Sequence, residues 1–188
     1  MGSADWSDDG EYGPDSSMRT FIIADTHFGH RNICQYSGRP WSDLVKMDAE
    51  LIRRWNETVG PDDSVYHLGD VAMGPAPESY LERLNGRLHL VAGNHDHRIK
   101  KHPRWESVSN RTVLDVDGVA LHMRHHPWQP TADDGLFVHG HSHGTMGRTH
   151  PMGDKRLQHD VGVDCWSDVP EWAFRPIEVR ALAQFLQT

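Results

Sequence analysis

Seven residues of types that bind metal ions lie at or just beyond the ends of short apolar runs in the sequence. Asp25 and His27 are two residues apart, so in an extended strand end both side chains point the same way and can hold one ion. His141 and His143 repeat that spacing, and Asp70 follows a glycine that lets the backbone come close. The full set of predicted metal ligands is Asp25, His27, Asp70, Asn94, His125, His141 and His143.

The chemistry of this set suits a pair of divalent cations. Two such cations together with the carboxylates of Asp25 and Asp70 leave a net charge of about +2, because the remaining ligands are neutral. That excess charge can hold a hydroxide and an anionic phosphate in one site. Oxygen and nitrogen ligands without a thiolate favour transition metals over Ca or Mg. We therefore expect two divalent transition metal ions, with Mn the first choice and Fe, Zn or Ni also compatible.

Three residues close to these ligands have two interpretations each. His126 is adjacent to His125 and is an alternative ligand. His30 contacts the substrate phosphate or supports His27, or it only packs within its loop. Arg124 either reaches the phosphate or is solvated. We predict His30 and Arg124 as substrate-binding residues.

The first half of the chain alternates strands and helices. Apolar runs predict strands over residues 18–24, 64–68 and 88–92. Between them, apolar residues at helical spacing predict a helix that begins after an N-cap at Ser42 and closes at Gly60, and a short helix over residues 77–85. This order favours parallel strand pairing, which places the loops after the strands at one edge of a sheet.

The second half of the chain predicts a second, more antiparallel sheet. Residues 112–116 and 119–123 flank Asp117-Gly118 and form a predicted hairpin. Further strands are predicted over residues 136–139 and 157–163, and a last helix over residues 177–187.

Composition bounds the class of protein. A chain of 188 residues suggests one domain, which we place at residues 18–188 after a mobile tail at 1–17 rich in Gly, Ser and Asp. No apolar run is long enough for a membrane span, and Cys34 and Cys165 are expected to be reduced, so we expect a cytoplasmic protein. The net charge of −8 argues against strong nucleic-acid binding. The sequence does not indicate an oligomeric state.

Five motifs in this order resemble those of the calcineurin-like metallophosphoesterase family, in its small prokaryotic and phage members. They are Asp25-Thr26-His27, Gly69-Asp70, Gly93-Asn94-His95-Asp96, His125 and Gly140-His141-Ser142-His143. The resemblance implies an α/β fold, a four-layer α-β-β-α sandwich with helices outside two central mixed sheets and the metal site at the C-terminal ends of the strands.

The resemblance also implies a task for each residue of the motifs. His95 is then the group beside the leaving oxygen, and Asp96 is expected to orient the imidazole of His95. One ion is held by Asp25, His27, Asp70 and His143, and the other by Asp70, Asn94, His125 and His141.

The predicted function is hydrolysis of small phosphodiesters, extending to phosphomonoesters, by in-line attack of a hydroxide that bridges the two ions. The protein-phosphatase branch carries an arginine after its Gly-Asp motif and GNHE in the next, whereas this chain has Val71-Ala72 and GNHD. A metal-free binding scaffold of the same fold and a nuclease are the alternatives. We expect a scaffold to lack Asp70 or His95, and a nuclease to carry a basic groove.

Overall fold

The computed structural model describes residues 18–129, 135–152 and 156–187, so the predicted tail at 1–17 lies outside the described residues. In chain order the elements are β1 (Thr20–Ile23), α1 (Ile33–Tyr36), α2 (Leu44–Thr58), β2 (Ser64–His67), α3 (Glu78–Leu81), β3 (Arg87–Val91), β4 (Trp105–Ser109), β5 (Thr112–Val116), β6 (Val119–Met123), β7 (Leu136–His139), β8 (Thr149–Met152), β9 (Arg156–Asp160), β10 (Ile177–Glu178) and α4 (Val179–Leu186). Among the described helices, none is both long enough and apolar enough to cross a membrane.

Two five-stranded mixed sheets form the centre of the α/β fold. The first has the order β10-β1-β2-β3-β4, in which β1 to β4 are parallel neighbours and β10 is antiparallel to β1. The second has the order β5-β6-β7-β9-β8, with antiparallel pairs at its two edges and parallel pairs in its middle. The predicted parallel pairing of the first three strands is confirmed. The prediction of a second, more antiparallel sheet is also confirmed, because within the described residues it has two antiparallel pairs and the first sheet has one.

The alternation of side chains along β1 separates two apolar cores. Phe21 and Ile23 pack in a core with α2, while Ile22 and Ala24 face the second sheet in the other core. Helix α4 contacts β1 and β10 of the first sheet and β5 of the second, so it closes the sandwich along one edge.

Helix α2 forms where the apolar spacing predicts it. Met47, Leu51 and Trp55 are buried on its inner face. The residue that begins the helix is Asp43 rather than the predicted Ser42, because the Asp43 carboxylate accepts hydrogen bonds from the backbone N–H groups of Val45 and Lys46 at 2.7 and 3.1 Å.

The predicted hairpin is confirmed, with Asp117 and Gly118 both at positive φ, as a tight two-residue turn requires. Four elements differ from the sequence prediction. The helix predicted over residues 77–85 is shorter, since α3 covers Glu78–Leu81 only. The strand β10 occupies the start of the predicted last helix, which begins at Val179. Strands β4 and β8 have no counterpart in the prediction.

Candidate metal centre

The loops that follow β1, β2, β3 and β7 meet at one edge of the sandwich. The segments after β1 and β2 continue side by side beyond the strands, because the N–H of His27 donates to the carbonyl of Asp70 at 3.0 Å. The segment after β7 reaches the same place, because the N–H of His141 donates to a carboxylate oxygen of Asp25 at 2.8 Å. The N–H of His95, after β3, donates to the Asp70 carboxylate at 3.0 Å. Residues far apart in the chain therefore converge here.

Five of the converging residues have a left-handed backbone. The spacing of Asp25 and His27, repeated by His141 and His143, predicts extended strand ends. That geometry is wrong, because the φ angles of Asp25, His27, Asp70, His141 and His143 are 57°, 49°, 57°, 70° and 48°. Such angles cost about 1–2 kcal/mol per non-glycine residue and concentrate at functional sites. Each strand therefore ends in a tight turn that aims its side chains into the site.

Asp25, His27 and His143 form one group of potential ligands, whose ligand atoms all lie within 4.8 Å of one another. Asp25 and His27 are buried, yet Oδ1 of Asp25 and both ring nitrogens of His27 have no hydrogen-bond partner. Buried polar atoms are almost always paired, and a metal ion is a recognised partner for such unpaired atoms. Oδ1 of Asp25 and one ring nitrogen of His27 therefore fit a cation.

Asp70 connects this group to a second one. Its Oδ2 lies 3.6 Å from Nε2 of His27, and its Oδ1 lies 3.5 Å from Nε2 of His125. Nε2 of His125 is also 3.0 Å from Oδ1 of Asn94, while Nδ1 of His125 lies 2.7 Å from the carbonyl of Leu68. A ring held by a backbone carbonyl on one side presents its other nitrogen to a metal in the usual way.

His125 and His126 differ in what they face. His125 is buried and faces Asp70, whereas His126 is exposed and packs beside His141, with ring centroids 4.2 Å apart and ring planes inclined at 50°. The ligand atoms of His125, His126 and His141 also lie within 4.8 Å of one another. His126 thus lies beside the site on its solvent side, and His125 holds the position closest to Asp70.

Burial and charge shift the pKa values at the centre in opposite directions. Burial raises the pKa of Asp25 well above its ordinary value, and the nearby carboxylates of Asp160 and Asp70 raise it further. The hydrogen bond from the His141 N–H acts in the opposite direction. Burial, followed by the neighbouring His143 and Arg39, lowers the pKa of His27 to about 2. His27 is therefore neutral at physiological pH, as a metal ligand must be, and a cation would relieve the cost of ionising Asp25.

His95 and Asp96 follow β3 but have separate environments. The His95 side chain is 42% exposed, and its Nε2 lies 3.9 Å from Oδ2 of Asp70 at the mouth of the site. Asp96 is fully buried and accepts from the backbone N–H groups of Asp70, Val71 and Gly93 at 2.9, 3.0 and 2.7 Å. Within the described residues, all hydrogen bonds of this carboxylate go to those amides. The expectation that Asp96 orients the His95 imidazole is corrected: Asp96 fixes the loops after β2 and β3.

Two clefts open from the centre, and Pro127 lines both. The larger, about 580 Å³, is lined by His30, Tyr36 and Met146 beside His27, His95 and His143. Nδ1 of His30 accepts a hydrogen bond from the Asn32 N–H at 3.2 Å, so Nε2 is the ring nitrogen that does not take part in that bond. The smaller cleft, about 400 Å³, is lined by Asn94, His126 and Arg124, whose guanidinium lies 5.0 Å from the Trp128 ring centre.

The structure adds two residues that the sequence analysis did not assign to the site, Arg39 and Asp164. Arg39 is buried and pairs with Asp164, which in turn accepts from the His143 ring. Asp164 could have been noticed, because it follows the run Val161-Gly162-Val163 as the predicted ligands follow their own apolar runs. For Arg39 the sequence offers no signal, since it lies between Gly38 and Pro40 in an apparent loop.

Known proteins resemble this chain over the same region. The sequence matches the family described as the calcineurin-like phosphoesterase superfamily domain over residues 18–159, a range that contains all seven predicted ligands. An uncharacterized protein of Methanocaldococcus jannaschii is 32% identical over 156 residues, covering 79% of this chain and 84% of that protein. The gene 66 protein of Mycobacterium phage L5 is 26% identical over 183 residues, covering 78% of this chain and 87% of that protein. A solved structure of a protein of unknown function from Aquifex aeolicus shares the fold, with a TM-score of 0.67 and 22% identity over 89% of this chain and 99% of that chain.

Proposed function

The chain belongs to the calcineurin-like phosphoesterase superfamily, and from this premise we propose that it is a phosphodiesterase that uses two divalent metal ions. The observation that carries the proposal is the unpaired state of buried ligand atoms at the converging loops. Oδ1 of Asp25 and both ring nitrogens of His27 are buried without partners. A protein that used this edge only as a rigid scaffold would gain stability by pairing or replacing these groups.

The geometry supports a division of the ligands between two ions. Asp25, His27 and His143 would hold the first ion together with Asp70, and Asn94, His125 and His141 would hold the second ion together with Asp70. The two oxygens of Asp70 face opposite ways, one toward His27 and one toward His125, as expected of a carboxylate shared by two cations. The bound ions would supply an activated water and neutralise charge on the phosphoryl oxygens. Mn is our first choice of metal, with Fe, Zn or Ni also compatible with these ligands.

His95 is the proposed general acid for the departing oxygen. It lies at the mouth of the site, where its imidazole reaches solvent and the larger cleft. Its position is fixed through the backbone, because its N–H donates to Oδ1 of Asp70. A proton donor in this place contributes about 10²–10⁴-fold to the rate of such reactions.

The two clefts favour a diester over a monoester. A phosphodiester has two ester arms, and openings on both sides of Pro127 give each arm a path away from the phosphorus. Arg124 and His126 line the smaller cleft, and none of its lining residues is acidic, so this side suits an arm with negative charge. His30 would contact the phosphate from the larger cleft.

The test is hydrolysis of bis-p-nitrophenyl phosphate against p-nitrophenyl phosphate by the full chain, with Mn²⁺ and then with a chelator. We expect faster cleavage of the diester, abolished by the chelator. His95→Asn should lower kcat about 10²–10⁴-fold with the bound metal unchanged, while His97→Asn, on the exposed surface two residues later, should leave kcat unchanged. Cleavage of neither compound with Mn²⁺, Fe²⁺, Zn²⁺ or Ni²⁺ would instead favour a binding scaffold.

A further inference from the structure

Arg39 is a buried cation whose hydrogen bonds join two distant parts of the chain. Its side chain has no exposed surface, and Nε and Nη2 donate to the two carboxylate oxygens of Asp164 at 2.7 and 3.0 Å. The same guanidinium donates to the backbone carbonyls of Asp25 at 2.7 Å and Thr26 at 2.8 Å. One side chain therefore holds both the turn after β1 and the carboxylate of Asp164.

Asp164 transmits this restraint to a proposed metal ligand. Its Oδ2 accepts a hydrogen bond from Nδ1 of His143 at 2.7 Å, and Oγ of Ser37 lies 3.2 Å from the same nitrogen. Both carboxylate oxygens of Asp164 accept hydrogen bonds from the buried Arg39 guanidinium, the usual pairing of an ionised carboxylate with arginine. Asp164 therefore fixes the His143 ring through Nδ1 and leaves Nε2 free toward Asp25 and His27.

The two groups of ligands differ in the partner behind the histidine. Behind His143 stands a buried carboxylate, whereas behind His125 stands the neutral carbonyl of Leu68. A carboxylate partner makes an imidazole a stronger metal donor, and loss of such a partner typically lowers metal affinity about 10- to 100-fold. The first group also contains the buried atoms without partners, on Asp25 and His27.

We propose that Arg39 and Asp164 are positioning residues that make the Asp25–His27–His143 position the tighter of the two cation positions, so that it fills first. This inference rests on the proposed binding of two ions. Arg39 acts on both sides of that position, through the carbonyl of Asp25 and, by way of Asp164, through the ring of His143. In the part of the chain that the structure describes, the ring of His125 is held from behind by the Leu68 carbonyl and by no charged side chain, so the position around Asn94 and His125 fills second.

The test is calorimetric titration of the metal-free full chain with Mn²⁺. Wild-type protein should show two classes of site. Asp164→Asn keeps the shape of the side chain and removes its charge, so it should weaken the tighter class about 10- to 100-fold and leave the weaker class within about twofold. Asn94→Ala should do the reverse. Asp168→Asn, which removes an exposed carboxylate paired with Arg148, should change neither class.

A second variant guards against loss of folding. Asp164→Asn alone leaves Arg39 buried without its partner, so the double variant Arg39→Met with Asp164→Asn, which leaves no unpaired charge, is titrated in parallel and should show the same selective loss. Equal weakening of both classes, or no change in either, would overturn this inference while leaving the binding of two ions intact. Wild-type protein that binds no Mn²⁺ would overturn the proposed function and this inference together.

Discussion

Gly93 is the residue at which one added methyl group should damage the site most directly. A Cβ at this position would lie 2.4 Å from Oδ1 of Asp70, 2.7 Å from the Asp70 backbone nitrogen and 2.9 Å from Cε1 of His125. Ordinary contact begins at 3.4 Å, so Gly93→Ala requires the Asp70 carboxylate to move by about 1 Å. The Asp70 backbone cannot move freely, because Asp96 binds the N–H groups of both Asp70 and Gly93.

The size of the effect follows from that displacement. A shift of about 1 Å in a positioned group can cost about 10²-fold in rate, and Asp70 is the ligand proposed to touch both ions. We therefore expect Gly93→Ala to lower kcat/KM for bis-p-nitrophenyl phosphate about 100-fold. Overpacking of this kind also lowers the free energy of unfolding by about 1–3 kcal/mol.

Gly118→Ala is the matched control, because it changes stability without touching the site. Gly118 lies in the hairpin turn at φ +87°, and a Cβ there would meet no atom within 4 Å. The left-handed backbone makes alanine cost about 1–2 kcal/mol of unfolding free energy, with kcat/KM unchanged. Steady-state kinetics and urea unfolding of both variants separate the two effects. If Gly93→Ala retained wild-type kcat/KM and Mn²⁺ stoichiometry, the proposed role of Asp70 would be refuted.

Three further predictions concern stability, metal and substrate. Burial, with His139 and His150 nearby, lowers the pKa of His159 to about 4, so only the unfolded chain binds this proton between about pH 4 and 6.5. The stability that comes from neutral His159 is therefore complete above about pH 6.5 and is lost as pH falls toward 4. In urea unfolding, His159→Gln should reduce the slope of the unfolding free energy against pH in this range by about 1.4 kcal/mol per pH unit. An unchanged slope would contradict the assignment. Mn²⁺ at 100 times its Kd should raise Tm by about 5–10 °C over chelated protein, and an equal Tm in both conditions would count against binding to the folded chain. Arg124→Ala should raise KM for the diester about tenfold and leave KM for the monoester unchanged, whereas equal effects on both would remove Arg124 from the second arm.

The strands that the sequence predicts are those buried within the sheets or joined by a tight turn. Apolar runs identify β1, β2 and β3, and Asp117-Gly118 identifies the hairpin of β5 and β6. The three strands that were missed, β4, β8 and β10, are all edge strands. Edge strands need less apolar surface: β4 buries only Trp105, β8 contains Pro151 and β10 has two residues. Their pairing depends on the neighbouring strand, which local sequence does not encode.

For the site, the sequence indicates which residues converge but not the backbone that aims them. The spacing of Asp25 and His27 suggested an extended strand end, yet both residues are left-handed. In an extended strand, side chains two positions apart point to the same side. The two left-handed residues Asp25 and His27 also bring their side chains together, so the spacing alone does not distinguish a strand end from a turn. Only the hydrogen bonds to the neighbouring loops, such as His27 N–H to the Asp70 carbonyl, select the turn.

A buried charged residue stabilises each of these strained turns by binding its backbone. Arg39 donates to the carbonyl of Asp25, Asp96 accepts from the N–H of Asp70, and Asp160 accepts from the N–H of Gly144 beside His143. A left-handed residue costs about 1–2 kcal/mol, and a hydrogen bond to a charged group contributes about 1.5–3 kcal/mol, so one such bond offsets the cost of about one left-handed residue. Arg39, Asp96 and Asp160 thus have a shared task that needs no contact with metal or substrate. Their charge lets a single side chain hold a strained backbone, because a hydrogen bond to a charged group is stronger than one between neutral groups.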